Sequence, residues 1–166
     1  NLYVRGTPGR LDEESIELRY PGLVEKLARH PGIGLVAVRR GESSFALVGK
    51  NGTDVHGPDG QRLSGDGGDL LETYADSKVS SRMLAVQIKN YLDIAESGDL
   101  VIFSPYEEGR TVDYNYKYTI ISAHGGMGGE QMHPFLLYDP AAAPQLRPEA
   151  MVDARGLHEA LRGILK

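Results

Sequence analysis

The chain has 166 residues, a formal net charge of -5 at pH 7, 40% hydrophobic and 25% charged residues, and no cysteine. This is the composition of one globular domain, or of one with a small appendage, rather than of a disordered chain. It excludes disulfides, thiolate–metal sites and a cysteine nucleophile, argues against a nucleic-acid polymer as partner, and contains no apolar run near the ~20 residues of a membrane span.

Asn1 to Arg5 reads as a short strand, and a chain that opens inside an element is expected to be a truncated or processed piece of a longer polypeptide. Asp12 with Glu13, Glu14 and Ser15 is an acidic helix start, and Pro21-Gly22 divides the following stretch into two short helices or kinks one. Ile33–Val38 and Ser44–Val48 read as strands joined by a hairpin, and Asn51-Gly52 marks the next turn. Thr53–His56 and Gln61–Leu63 flank Gly57-Pro58-Asp59-Gly60, which predicts a second hairpin with His56 in polar surroundings. Ser64–Asp69 reads as a loop, Ser80–Ala95 as the strongest helix, and Asp99–Ser104 and Tyr118–Ser122 as strands. Phe135–Tyr138 is expected to be a short buried strand, Ala141–Pro148 a linker, and Asp153–Leu165 a final helix with Leu157, Leu161 and Ile164 on one face. The first 63 residues therefore predict a compact α+β unit with a mostly antiparallel sheet.

The unusual stretch runs from Ile121 to Gln131, where an apolar strand ends, His124 follows, and Gly125, Gly126, Gly128 and Gly129 come next. Glycine lets backbone approach a ligand closely and adopt positive φ. Imidazole at a strand end is a suitable metal ligand. On this reading His124 binds metal, and Gly125, Gly126 and Gln131 face a substrate. The alternative from the same residues is a tight surface loop in which His124 only hydrogen-bonds backbone. No Gly-Lys-Ser/Thr follows, so the run is not a phosphate-cradling loop, and no βαβ unit continues as a dinucleotide fingerprint would require.

Gly98-Asp99-Leu100-Val101-Ile102, Ser122-Ala123-His124-Gly125-Gly126-Met127-Gly128-Gly129, Gln131 and Pro134-Phe135-Leu136-Leu137-Tyr138 together resemble the C-terminal part of bacterial alkaline phosphatase superfamily proteins. Within that superfamily the likeness is to the type I phosphodiesterase and nucleotide pyrophosphatase branch. Tyr20-Pro21-Gly22-Leu23 and His30-Pro31-Gly32-Ile33-Gly34 resemble the cap-like insertion of those proteins. The resemblance spans roughly residues 1–140. It implies an α/β parent of which this chain is an α+β fragment: a cap-like unit over residues 1–75, a return to the core sheet over 76–140, and a linker and terminal helix over 141–166. It implies a two-metal phosphoric ester hydrolase, with zinc the expected ion, in which His124 is one ligand. The nucleophile and the other ligands would belong to a missing N-terminal part of the same polypeptide, and a phosphate ester would be the substrate. The alternative is a non-enzymatic interaction or ligand-binding module derived from that fold, self-associating through an open sheet edge.

The other candidates are read as structural. His133 precedes Pro134, His30 ends a helix, and His158 lies on the exposed side of the last one. Asp99 and Asp113 read as turn residues and Glu107-Glu108 as a solvated hairpin. Tyr114, Tyr116 and Tyr118 alternate, so they share one strand face, for sheet packing or for stacking on a base or partner.

Overall fold

Local chemistry sets the first elements. Asp12 caps helix α1 (Glu13–Arg19) by accepting from the Ser15 amide at 2.9 Å, and Pro21-Gly22 separates it from α2 (Leu23–Ala28). Gly22 sits at φ 71°, a conformation that favours glycine at this tight junction. Strands β1 (Leu35–Arg40), β2 (Ser44–Gly49), β3 (Gly52–His56) and β4 (Arg62–Gly65) follow as a meander. Helix α3 (Ser81–Asp93) then leads to β5 (Leu100–Phe103), and β6 (Tyr106–Glu107) with β7 (Arg110–Thr111) forms a small hairpin. The computed structural model describes residues 1–6, 9–111, 126–141, 143–144, 146–147 and 153–164, in two compact units, 1–132 and 133–166.

The first unit is a mixed α+β fold around a five-stranded sheet of order β4-β3-β2-β1-β5. Every neighbouring pair is antiparallel. Side chains alternate between two buried faces. Leu35, Ala37, Phe45, Leu47 and Val101 meet Leu84, Ala85, Ile88 and Leu92 of α3, together with Leu71, Tyr74 and Met127. Val36, Val38, Ala46, Val48 and Leu100 meet Ile16, Val24 and Ala28 of α1 and α2. Burial on both sides explains why β1 and β2 read as nearly continuous apolar runs rather than as alternating ones. The sheet takes β1–β4 from residues 1–75 and β5 from residues 76–140, and both stretches feed one core.

Four expectations are corrected. The first is the opening strand, which shrinks to a single antiparallel bridge between Leu2 and Leu100. The segment is held instead by Asp99, a buried residue whose carboxylate accepts from the Val4 and Leu11 amides at 2.7 Å each. Asp99 lies in the bend before β5, as expected of a turn residue, and clamps the segment from there. His56 is only 2% exposed, because its place in β3 turns it onto Phe45, with ring centroids 5.3 Å apart. Ser64 and Gly65, expected in a loop, complete β4.

In the second unit, residues 133–139 form no regular structure, so Phe135–Tyr138 is not a buried strand: Phe135 is 93% and Leu137 91% exposed. Among the described residues no strand pairs with it. Helix α4 (Ala154–Ile164) forms as expected, with Asp153 accepting from the Gly156 amide at 2.8 Å. Tyr114, Tyr116, Asp113 and the Tyr118–Ser122 strand lie outside the described residues.

Candidate functional site

The glycine-rich stretch after His124 is built around an aromatic seat. Met127 is buried in the core beneath α3, and Met132 packs partly buried against the same cluster. Between these two anchors the chain makes a 3-10 turn, Gly129–Met132. Gly128 and Gly129 adopt φ values of 96° and 69° and lie along the Tyr106 ring. A Cβ on Gly128 would fall 2.7 Å from Tyr106 Cγ, and one on Gly129 would fall 2.8 Å from its hydroxyl oxygen. Both positions therefore require glycine twice over, for backbone conformation and for space.

Tyr106 is itself fixed. Its ring centroid lies 6.4 Å from that of Tyr74, whose hydroxyl donates to the Ser104 carbonyl at 3.0 Å. Gln131 closes the turn: its side-chain nitrogen donates to the Gly128 carbonyl at 2.9 Å. The same amide group lies where a Cβ on Gly126 would have to go, 2.6 Å from Oε1. Of the four residues expected to form the site, Gly126 and Gln131 thus pack on each other, and His124 and Gly125 lie outside the described residues.

Sequence reasoning did not find two polar centres in β3. Asp54 is fully buried, accepts from Arg62 Nε at 2.8 Å and from the Leu70 amide at 2.9 Å, and is ion-paired with the other end of the same guanidinium at 2.7 Å. These partners satisfy it, which marks a structural role. His56 contacts the Gly60 carbonyl through Nδ1 at 3.3 Å, and its Nε2 has no protein partner among the described residues. The alternation Thr53-Asp54-Val55-His56 carried the signal for both, since β3 must turn Asp54 and His56 to the same side.

A groove of about 770 Å³ lies along α1 and α2. Glu13, Glu14, Glu17 and Glu25 wall it, with Val24, Val48 and Thr53 among its other lining residues. Partial burial raises the Glu13 carboxyl above its ordinary 4.5, opposed by the Arg40 guanidinium 3.2 Å away.

No family model, curated protein or solved structure matches this chain. Among the described residues no three His, Asp or Glu side chains are grouped to hold a metal ion. A zinc shell needs three or four protein ligands, so these residues do not assemble one. No helix among the described residues is long and apolar enough to cross a membrane.

Proposed function

We propose that this chain is the C-terminal part of a two-metal phosphoric ester hydrolase and contributes one metal ligand, His124. The observation that carries the reading is the anchoring of the segment after it. Met127, three residues downstream of His124, is buried in the core, and Gly128 and Gly129 lie against Tyr106. A ligand side chain works best when its backbone is held rigidly, and the glycine run that resembles the superfamily motif is here a seat rather than a slack loop. The remaining ligands and the nucleophile would come from elsewhere in the polypeptide. A bound divalent pair would supply charge stabilisation to the attacking and leaving oxygens of a phosphate ester.

The test is turnover of bis(4-nitrophenyl) phosphate by the full-length polypeptide with zinc or manganese. His124→Ala is expected to lower kcat/KM by at least about 100-fold. Equal turnover by wild type and variant would remove His124 from the site. The 166-residue chain alone is expected to be inactive, and His124-dependent hydrolysis by it would overturn the reading of the site as shared.

A second reading, an interaction module, is favoured by the second unit. Phe135, Leu136 and Leu137 are consecutive exposed apolar side chains, and such patches mark contact surfaces. Light scattering on Phe135→Ser/Leu137→Ser separates the two readings. Loss of a wild-type dimer would support the module, and a strict monomer at high concentration would count against self-association.

A further inference from the structure

Four buried side-chain polar atoms have no hydrogen-bond partner among the described residues: Arg10 Nε, Arg39 Nε, Ser97 Oγ and His56 Nε2. The first three belong to residues gathered near the turn that joins α3 to β5. Arg10 lies across that turn, donating from its two terminal nitrogens to the Ile94 carbonyl at 2.9 Å and the Gly98 carbonyl at 3.3 Å. Ser97, only 4% exposed, falls between those two residues in the chain. Arg39, near the end of β1, donates to the carbonyl of Leu11, the residue next to Arg10, at 2.7 Å. Burial first, and the charge of Arg10 second, pull the Arg39 guanidinium below its ordinary value.

Two guanidinium groups that repel each other while partly buried call for a counter-charge. Asp99, Asp12 and Asp93 offset the repulsion through space, but each is already committed. Asp99 accepts from the Val4 and Leu11 amides, Asp93 pairs with Lys89 at 2.6 Å, and Asp12 caps α1. Among the described residues neither Arg10 nor Arg39 forms an ion pair. A water molecule would accept from these donors but bring no charge. We infer that Arg10, Arg39 and Ser97 form a binding site for a small oxyanion, a phosphate or carboxylate group, which accepts from both Nε–H groups and from the Ser97 hydroxyl. The planar guanidinium fork suits such oxygens better than any other cationic side chain does. The site uses neither His124 nor the glycine turn, so it stands or falls apart from the hydrolase reading.

The experiment titrates the 166-residue chain with inorganic phosphate, and separately with acetate, against chloride at constant ionic strength. Arginine Nε–H signals are followed by NMR and Tm by calorimetry. Saturable shifts of the Arg10 and Arg39 signals are expected, with a rise in Tm, since a ligand of the folded state alone stabilises it. The Arg62 Nε–H, already bonded to Asp54, should not move. Arg39→Lys keeps the charge but loses the Nε donor, and should weaken phosphate by roughly 10-fold. Ser97→Ala deletes a hydroxyl with no protein partner, so it should be as stable as wild type in chloride and still lose part of the phosphate response. It carries the comparison if Arg39→Lys does not fold. Saturation by phosphate alone would assign the site to a phosphate group, and equal saturation by acetate to small oxyanions including carboxylates. Arg10 and Arg39 signals unmoved at millimolar phosphate, or a response the same in wild type and both variants, would overturn the site and leave its donors to water.

Discussion

Two glycine-rich stretches of this chain look alike as sequence and are built on opposite physics. Ser64-Gly65-Asp66-Gly67-Gly68-Asp69 wraps a buried charge. A Cβ on Gly65 would collide with Asp54 Oδ1, and one on Gly52 would come within 2.6 Å of Asp66 Oδ1 and 2.7 Å of the Gly67 backbone. Asp66 in turn accepts from the Thr53 amide at 2.8 Å. Gly126-Met127-Gly128-Gly129 wraps an aromatic ring and holds no charged group in its contacts with Tyr106. In the first stretch glycine makes room for hydrogen bonds to a carboxylate that has left water. In the second it makes room for the ring and hydroxyl of a tyrosine. Glycine runs therefore report close approach, and the approaching group must be identified before a ligand is inferred.

The comparison breaks most sharply at Asp54. Asp54→Ala removes the acceptor of two hydrogen bonds and one arm of an ion pair, and strands the Leu70 amide and one guanidinium, which Arg62 keeps partly in water. A loss of about 3 kcal/mol is expected in urea unfolding, at the low end for a broken buried pair. A loss under about 1 kcal/mol would mean that the charge does not organise the turn. Gly128→Ala attacks the aromatic stretch through both positive φ and the Tyr106 contact, and about 1–3 kcal/mol is expected in the same assay. Its exchange changes should stay near residues 127–132, whereas those of Asp54→Ala should spread over β3 and β4.

Smaller effects sharpen the contrast between carboxylates that stabilise and those that do not. Asp12→Ala should cost about 1 kcal/mol at neutral pH by removing the cap of α1. Hydrogen bonds from Ser15 hold the Asp12 carboxyl below its ordinary 3.8. Its contribution is thus present above about pH 4 and fades as pH falls through the lower folded value. Glu13 has the opposite sign. Partial burial raises its carboxyl above 4.5, so the ionised form opposes folding at neutral pH and the penalty is relieved on acidification through the raised value. Glu13→Gln should therefore raise stability slightly at pH 7, by a few tenths of a kcal/mol after solvent screening, with the two proteins converging in acid. A variant less stable than wild type at pH 7 would mean that the Arg40 pair outweighs burial.

Much of the first unit was legible because its signals are local. The Asp12 cap, the Pro21-Gly22 break, the hairpins around β1 to β4 and the limits of α3 all follow from a few adjacent residues. The antiparallel character of the sheet followed from the short turns between its strands. What was not legible depends on partners distant in the chain. Asp99 is a clamp only because residues 4 and 11 come back to it, and His56 is buried only because Phe45 lies opposite. Phe135–Leu137 has the composition of a buried strand, yet composition supplies no neighbour to pair with. For the candidate site, the glycine run was visible, but its reason, Tyr106, lies in another element.

The order β4-β3-β2-β1-β5 also bears on how the chain reaches this fold. Strands β1 to β4 close through short turns, so their pairing needs little loop entropy and can proceed as successive hairpins. The pairing of β1 with β5, Val38 opposite Leu100, spans a long stretch of chain, and that stretch includes α3, which covers one face of the sheet. Docking of β5 is then expected to be the slow, committing event of folding. Substitutions at the β1–β5 seam should retard refolding, while those in the β3–β4 hairpin should mainly hasten unfolding.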